Sequence, residues 1–145
     1  MTAEDEIRNT LAKYCQRLNV LDAEGYISLF SKNCRMETAW GERVGREGIR
    51  DHVDYVKQRW PSNFRTRHTL GSSIIEVHGD TADAVSDVVV FHSMDNKPWI
   101  VGQSGQYIDK LILEDGEWLF LERRIEADTF FWPNEYIEAL QGNPL

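Results

Sequence analysis

The first twenty residues carry one apolar stripe with the period of an α-helix. Its members recur at i, i+4, i+7, i+8 and i+11, namely Ile7, Leu11, Tyr14, Cys15 and Leu18. Thr2 and Asp5, three residues apart at the start of this segment, resemble a capping box. The pattern predicts a first helix that begins just after Thr2 and buries one face.

Two more helices and a short hairpin are predicted before the chain turns to long strands. Asp22 is a good N-cap for a second helix over 23–30, whose apolar side chains would share a face. Residues 34–40 have the composition of a strand, and Gly41 could turn the chain back toward Val44. A third helix is indicated by apolar positions at i, i+4, i+7 and i+11, namely Ile49, Val53, Val56 and Trp60. The proline that follows this stripe ends the helix.

From residue 65 onward the period of the apolar positions changes from 3.6 to 2, with many β-branched and aromatic residues. Compact turns divide this part of the chain, and Asp115-Gly116 is the strongest hairpin signal among them. The pattern predicts four long antiparallel strands over 65–77, 81–94, 99–114 and 117–128. Their apolar face needs a cover, which the helices with their single stripes supply. We therefore expect an α+β fold in one domain over 1–145, with the segment 133–145 unassigned.

Strands of this length twist strongly and would curl around the three N-terminal helices. The resulting cone-shaped, mostly antiparallel sheet leaves an open mouth between sheet and helices. Concavities of this kind commonly bind small molecules. Function is therefore expected among polar residues that point inward from the first helix and the long strands.

Charge and cysteine spacing narrow the classes of function. The chain has 16 Lys plus Arg against 24 Asp plus Glu, a net charge of -8. Its long-range field would repel nucleic acid and anionic membranes, so neither is an expected partner. The N-terminal segment contains neither a basic leader nor an apolar run, which favours a cytoplasmic location. The spacing of Cys15 and Cys34 fits two reduced packing cysteines.

Sequence motifs for metals, nucleotides and nucleophilic serines are missing. The four histidines have no ligand spacing such as H-x-x-x-H; they are His52, His68, His78 and His92. Neither G-x-S-x-G, nor G-x-G-x-x-G, nor a P-loop occurs. We therefore expect chemistry without a metal or cofactor. An imidazole in an apolar cavity suits the removal of a proton next to a carbonyl or a leaving group.

Several segments together resemble one family. They are YCQRLN at 14–19 with Asp22 and Phe30 after it, GREGI at 45–49, RHTL at 67–70, HGDTA at 78–82, QYID at 106–109 and DGEW at 115–118. In this order they resemble the SnoaL-like branch of the nuclear transport factor 2-like superfamily. The resemblance implies the same cone-shaped α+β fold. It constrains function less, because this fold carries dehydratases, isomerases, dehydrochlorinases and polyketide cyclases as well as the small subunits of ring-hydroxylating dioxygenases.

The resemblance also implies site residues. The dehydratase and dehydrochlorinase branches pair a His on the first long strand with an Asp near the end of helix one. The His corresponds to His68, and the acidic position corresponds to Asn19 rather than Asp22, which matches the residue that caps helix two. An alternative alignment with a gap at the helix end would bring Asp22 beside His68. Tyr14 resembles a pocket tyrosine that could donate a proton to a leaving group, although it could equally be a core residue.

An asparagine at this position changes the expected chemistry of His68. An Asp partner would fix the His tautomer and stabilise the imidazolium that forms during the reaction. An amide oxygen can orient the ring but adds no negative charge. Asn19 therefore marks either a catalyst that uses its amide to bind or polarise the substrate, or a chain that has lost the ancestral activity.

Further residues are predicted to line the pocket. His92 resembles the second pocket His of scytalone dehydratase, with an exposed strand-end His as the alternative. Arg123 resembles a pocket Arg that attracts a departing anion, but it alternates with Arg124, and the sequence does not decide which of the two points inward. Aromatic residues that could form the wall, or simply pack in the core, are Trp40, Tyr55, Trp60, Trp99, Tyr107 and Phe120.

Two functional hypotheses follow from these residues and from the resemblance. The first is a cofactor-independent lyase or isomerase that acts on an apolar cyclic small molecule, with His68 as base, Tyr14 as donor and Asn19 as orienting group. The second is a non-catalytic ligand-binding or assembly domain, like the small subunit of a ring-hydroxylating dioxygenase. In either case the resemblance implies a homodimer or homotrimer formed through the outer face of the sheet.

Overall fold

Three helices precede the long strands in the computed structural model, which describes residues 1–95, 97–128 and 134–139. Helix α1 spans Ala3–Asn19, and the predicted capping box is present, since the Thr2 hydroxyl accepts from the Asp5 amide while the Asp5 carboxylate accepts from the Thr2 amide. Helix α2 spans Ala23–Ile27 and is capped by the Asp22 carboxylate, which accepts from the Gly25 amide at 3.0 Å. Helix α3 spans Gly45–Arg59.

The strands form one mixed, open sheet within the described residues. Their bounds are β1 Phe30–Thr38, β2 Gly41–Val44, β3 Arg65–His78, β4 Thr81–Ser93, β5 Ile100–Glu114 and β6 Glu117–Ala127. The strand order is β2-β1-β6-β5-β4-β3, in which β1 and β6 run parallel and every other neighbouring pair is antiparallel. A short helix, α4, spans Asn134–Ala139, and the rest of 133–145 lies outside the described residues.

The second helix and the first strand differ from the predicted boundaries. The predicted helix over 23–30 ends at Ile27, and the strand predicted to start at 34 begins at Phe30. The Leu29 carbonyl accepts from the Phe120 amide at 2.9 Å, and Phe30 pairs with Phe120. Pairing with β6 therefore outweighs the local helical pattern. Leu29 and Phe30 are both buried in the observed conformation.

The concave face of the sheet packs against α1 and α3. On β4 the buried positions alternate regularly, namely Ala82, Ala84, Ser86, Val88, Val90 and His92. The small residues at the start of β4 lie deep in the core, whereas His92 lies near the other end of the strand. Register shifts in β3, β4 and β5 bend the sheet along its length. The three helices on one six-stranded sheet confirm the predicted α+β fold, and a cavity lies at the end of the sheet where His92 is.

Candidate functional site

A cavity lies between the C-terminal end of α1, the inward face of α3 and the concave face of the sheet. Its volume is about 60 Å³. Its lining consists of Tyr14, Leu18, Thr38, Ala39, Trp40, His52, Val56, Trp60, His68, Val90, His92, Gln103, Tyr107, Ile125 and Ala127. Most of these side chains are aromatic or aliphatic. Three are histidines, and they come from three different elements: α3, β3 and β4.

His68 on β3 is held by Asn19 at the last turn of α1. The Asn19 side-chain oxygen Oδ1 lies 2.7 Å from the backbone nitrogen of His68 and 3.0 Å from its ring nitrogen Nδ1. The backbone N–H can only donate, so the Asn19 atom that it reaches is an acceptor. The same oxygen then accepts from Nδ1–H, which leaves the lone pair of the neutral ring on Nε2. The predicted orienting contact between Asn19 and His68 is therefore present in the structure.

The surroundings of His68 keep its ring neutral. Burial, the nearby His92 and the Arg123 guanidinium together lower the pKa of His68 to about 3, and burial contributes most. The residue is intermediate in exposure because part of its surface faces the cavity. Nε2 has no hydrogen-bond partner among the described residues. His68 therefore lines the mostly apolar cavity as a neutral ring whose Nε2 carries no proton.

Tyr14 and Tyr107 form the floor of the cavity above a buried ion pair. Their rings meet edge to face with centroids 5.5 Å apart, and the Arg123 guanidinium lies 4.1 Å and 4.0 Å from the two ring centroids. Burial raises the pKa of each phenol, so both hydroxyls stay protonated. Tyr14 is consequently neutral, and hydrogen bonding to Tyr26 and to the Arg123 guanidinium limits how far burial raises its pKa.

Arg123 is the inward member of the pair of arginines on β6. It is fully buried and makes two hydrogen bonds of 2.7 Å and 2.8 Å to the Asp109 carboxylate, whereas Arg124 is exposed. Burial alone would lower the pKa of Arg123, but the Asp109 charge outweighs burial and raises it. Burial raises the pKa of Asp109, and the guanidinium opposes this change, so each group keeps the other charged. Arg123 does not line the cavity and supports the tyrosine floor from beneath.

His92 and Trp60 lie on another wall of the cavity. His92 is buried, and its ring centroid lies 4.7 Å from that of Phe64 and 6.4 Å from that of Trp60. Burial lowers its pKa to about 4. The structure therefore places His92 in the pocket lining and not at an exposed strand end.

The remaining predicted residues are distributed between the mouth and the surface. Trp40 lines the cavity and is 38% exposed, so it lies at the mouth. Tyr55 lies behind Trp40, outside the lining, with the Arg59 guanidinium 4.8 Å from its ring centroid. Asp22 is exposed and caps α2, so the structure does not bring it beside His68. Trp99 is partly exposed and Phe120 is a core residue outside the lining.

Three polar lining residues were not predicted from the sequence: Thr38, His52 and Gln103. Thr38 is satisfied locally, because its hydroxyl donates to the Gly41 carbonyl and accepts from the Trp40 amide. His52 is buried on α3 between Ile49 and Val56, at a position where the helix faces the cavity. Its signal in the sequence was a polar residue three positions after Ile49, on the apolar side of the helix.

The described residues contain neither a cluster of potential metal ligands nor a helix that could cross a membrane. In 1–95, 97–128 and 134–139, no three His, Cys, Asp or Glu side chains are grouped so that they could hold a metal ion. The helices in this part of the chain are too short or too polar to cross a membrane.

Comparison with known proteins places the fold among solved structures. A protein of unknown function from Mycobacterium tuberculosis is 30% identical, with a TM-score of 0.77 over 86% of this chain and 71% of its own. A provisionally named scytalone dehydratase from Novosphingobium aromaticivorans is 21% identical, with a TM-score of 0.75 over 87% of this chain and 84% of its own. The beta subunit of a provisionally named aromatic-ring-hydroxylating dioxygenase from the same organism is 22% identical, with a TM-score of 0.77 over 99% of this chain and 97% of its own.

The family comparison is more specific than these structural likenesses. No relative was found among proteins of curated function. Residues 1–124, however, match the SnoaL-like domain. This range contains the three N-terminal helices, strands β1 to β5 and most of β6. The chain therefore belongs to the family of SnoaL-like domains.

Proposed function

We propose that this protein is a cofactor-independent lyase or isomerase that removes a proton from an apolar cyclic small molecule. The observation that carries the proposal is the pairing of His68 with Asn19, which leaves Nε2 of a neutral imidazole facing an apolar cavity. A dehydratase, a double-bond isomerase and a cyclase all require this proton transfer. The mostly aromatic and aliphatic lining of the cavity supports an apolar substrate.

The geometry supports a sequence of proton movements. Nε2 of His68 takes the substrate proton, and the Nδ1–H of the resulting imidazolium keeps its hydrogen bond to Asn19. Asn19 contributes no negative charge, and burial disfavours the positively charged imidazolium. The imidazolium must therefore be stabilised by the negative charge that develops on the substrate. Tyr14 lines the cavity and stays protonated, and in this proposal its hydroxyl donates to that charge or to a leaving oxygen.

A Kemp elimination tests the base without knowledge of the natural substrate. In 5-nitrobenzisoxazole a base removes the ring C–H proton as the N–O bond breaks, and the released phenolate is followed by its absorbance. We expect acceleration by the wild-type protein and a loss of about 10²-fold or more in His68→Gln, the range for one general base. His78→Gln is the matched control, because His78 is an exposed histidine at the far end of the same strand. Equal rates in wild type and His68→Gln would overturn the proposal.

A non-catalytic ligand-binding or assembly domain is the second candidate. It is favoured by Asn19, which supplies no charge to His68, and by the likeness to a dioxygenase beta subunit over nearly all of both chains. This alternative predicts that 5-nitrobenzisoxazole binds without turnover, or that the protein is recovered in complex with a large oxygenase subunit.

Assembly and location are further parts of the proposal. The outer face of the sheet carries a row of apolar side chains across three neighbouring strands, with Ile74 and Val85 exposed and Ile108 half-buried. This row supports a homodimer or homotrimer through the outer face, which light scattering of the purified protein would measure. The acidic chain is further proposed to act in the cytoplasm.

A further inference from the structure

Two arginines and a tyrosine form a cluster beside the mouth of the cavity. This mouth cluster consists of Arg43 on β2 and of Tyr55 and Arg59 on α3. The guanidinium carbon of Arg59 lies 4.8 Å from the centroid of the Tyr55 ring, and that of Arg43 lies 5.9 Å from it. All three residues are half-buried. Both positive charges are therefore held against the same aromatic ring.

The fold directs Arg43 toward the helices. In the hairpin of β1 and β2 it pairs with Met36, whose side chain is buried in the core. Cross-strand partners point to the same face of a sheet, so the Arg43 side chain also lies on the helix side. A Cβ atom at Gly48 would lie 3.2 Å from the Arg43 carbonyl carbon, so the first turn of α3 packs directly on β2. Tyr55 and Arg59 are four residues apart and share one face of α3.

Trp40 connects the mouth cluster to the cavity. Its ring centroid lies 6.2 Å from that of Tyr55 and 6.4 Å from that of His52. Trp40 and His52 both line the cavity. Burial is the main cause of the lowered pKa of His52, and the Arg43 charge lowers it as well, so this charge acts on the cavity wall. A ligand that extends from the cavity past Trp40 would meet the mouth cluster.

The two guanidinium groups are not neutralised within the part of the chain that the structure describes. There, neither Arg43 nor Arg59 has an ion pair or a hydrogen bond, and the Nε atom of each is buried without an acceptor. The Nη atoms are not enclosed. Glu42, the residue before Arg43, binds Arg35 instead, at 2.8 Å. In a chain with a net charge of -8, the mouth cluster thus offers unpaired N–H donors to an anion.

We propose that the substrate carries a carboxylate, which the Nη donors of Arg43 and Arg59 bind at the mouth while the apolar ring of the substrate lies in the cavity beyond Trp40. A carboxylate has two oxygens in a plane, which match the planar donor pairs of guanidinium groups. Tyr55 holds both guanidinium groups in place before the ligand binds, which lowers the entropic cost of binding. As a statement about the substrate the inference rests on the proposed function, whereas carboxylate binding does not require His68.

The probes are 4-phenylbutanoate and 4-phenylbutanamide, which have the same shape and differ in charge at pH 7. Titration calorimetry measures the dissociation constant of each. We expect wild type to bind the carboxylate about tenfold more tightly than the amide, since charge-assisted hydrogen bonds are strong but the Nη atoms are open to water. Equal dissociation constants in wild type, or binding of neither probe, would overturn the inference.

Replacement of the two arginines assigns this preference to the mouth cluster. Arg43→Gln and Arg59→Gln should each reduce the preference for the carboxylate, and the double variant should bind both probes equally. Arg124→Gln is the matched control, because it removes the same charge from an exposed residue on β6 that pairs with Glu126. A preference that persists in the double variant, or that Arg124→Gln reduces as much, would contradict the assignment.

Lysine variants keep the test valid if the glutamine variants do not fold, which circular dichroism would show. Arg43→Lys and Arg59→Lys keep the positive charge and an aliphatic stem but lack the planar donor pair. The preference for the carboxylate should therefore fall in each and remain measurable. An unchanged preference in both lysine variants would overturn the binding of the carboxylate by guanidinium groups.

The Kemp elimination distinguishes a failure of this inference from a failure of the proposed function. We expect 4-phenylbutanoate to inhibit the reaction of 5-nitrobenzisoxazole competitively, because both rings occupy the cavity, and His68→Gln to retain the preference for the carboxylate. A carboxylate preference in a protein without Kemp activity would overturn the base role of His68 and leave the carboxylate site standing. An active Kemp reaction that bound 4-phenylbutanoate does not inhibit would overturn the placement of its ring in the cavity.

Discussion

Asn19 is the residue that determines how His68 can act. One side-chain oxygen accepts both from the backbone and from the ring of His68, so the position of the imidazole is fixed relative to α1. A carboxylate there would keep both contacts and add a charge that favours the imidazolium. The asparagine fixes the tautomer but leaves His68 a weak base, because burial is not offset.

Asn19→Asp should therefore raise the pKa of His68 by about one to three pH units. A base works only when deprotonated, so the Kemp rate falls as the pH drops through this pKa. We expect the wild-type Kemp rate to stay constant from pH 8 down to the pH at which the protein unfolds. The rate of the variant should fall to half at a higher pH, equal to the raised pKa of His68. Above that pH the variant should be faster than wild type. The pH–rate profile measures both. An unchanged profile would mean that the new carboxylate does not interact with His68.

Positions at the cavity were predicted from family motifs and, for the wall aromatics, from residue type. His68, Asn19, Tyr14 and His92 were predicted from the sequence, and all four line or support the cavity. The inward direction of Arg123 required its bidentate contact with Asp109, which depends on pairing between β5 and β6. His52 could not be assigned from sequence, since an isolated histidine on a helix is more often structural than functional.

At the scale of elements, the four long strands were predicted to within one residue of their observed ends. Their alternation has period 2, and clear turns separate them. The short second helix was predicted too long, since residues 28–30 fit a helical stripe locally and only the contact with β6 shows that Phe30 is extended. Pairing between β1 and β6 joins segments ninety residues apart, as between Phe30 and Phe120. Local periodicity carries no information on such contacts.

Close approach of β5 and β6 gives a prediction for Gly105. A Cβ atom at this position would lie 2.0 Å from the backbone oxygen of Glu126. Gly105→Ala should therefore destabilise the protein by about 1–3 kcal/mol, the usual cost of overpacking. Gly71→Ala is the matched control, because its Cβ would lie 3.4 Å from the Asp87 Cβ and 3.7 Å from the Asp87 backbone oxygen, which are ordinary contacts. Urea unfolding of both variants measures the difference, and equal midpoints would contradict the strand spacing.

At the scale of the whole molecule, three neutral histidines around one cavity tie stability to pH. Burial is the largest cause in each case, and it lowers the pKa values of His52 and His92 to about 4 and of His68 to about 3, from an ordinary value of 6.5. The unfolded chain therefore binds protons at a higher pH than the folded protein. Stability is full above pH 6.5 and declines as the pH falls from there toward the folded values.

The free energy of unfolding should consequently fall from pH 7 to pH 4.5, and His52→Phe should reduce the slope. One pKa unit of difference corresponds to roughly 1.4 kcal/mol. Urea unfolding at half-unit pH steps measures the slope, with His78→Phe as the control because His78 is exposed. A slope unchanged in His52→Phe would show that His52 is charged or exposed in the folded protein.

The central claim is that the His68 ring is neutral and carries its proton on Nδ1. ¹⁵N NMR of the protein labelled at histidine measures this protonation state most directly. The account predicts that at pH 7 Nδ1 of His68 carries the proton and Nε2 does not, and that this state persists to near pH 4. His68→Gln assigns the signals by their loss. A proton on Nε2, or a His68 ring that titrates near its ordinary pKa of 6.5, would contradict the account.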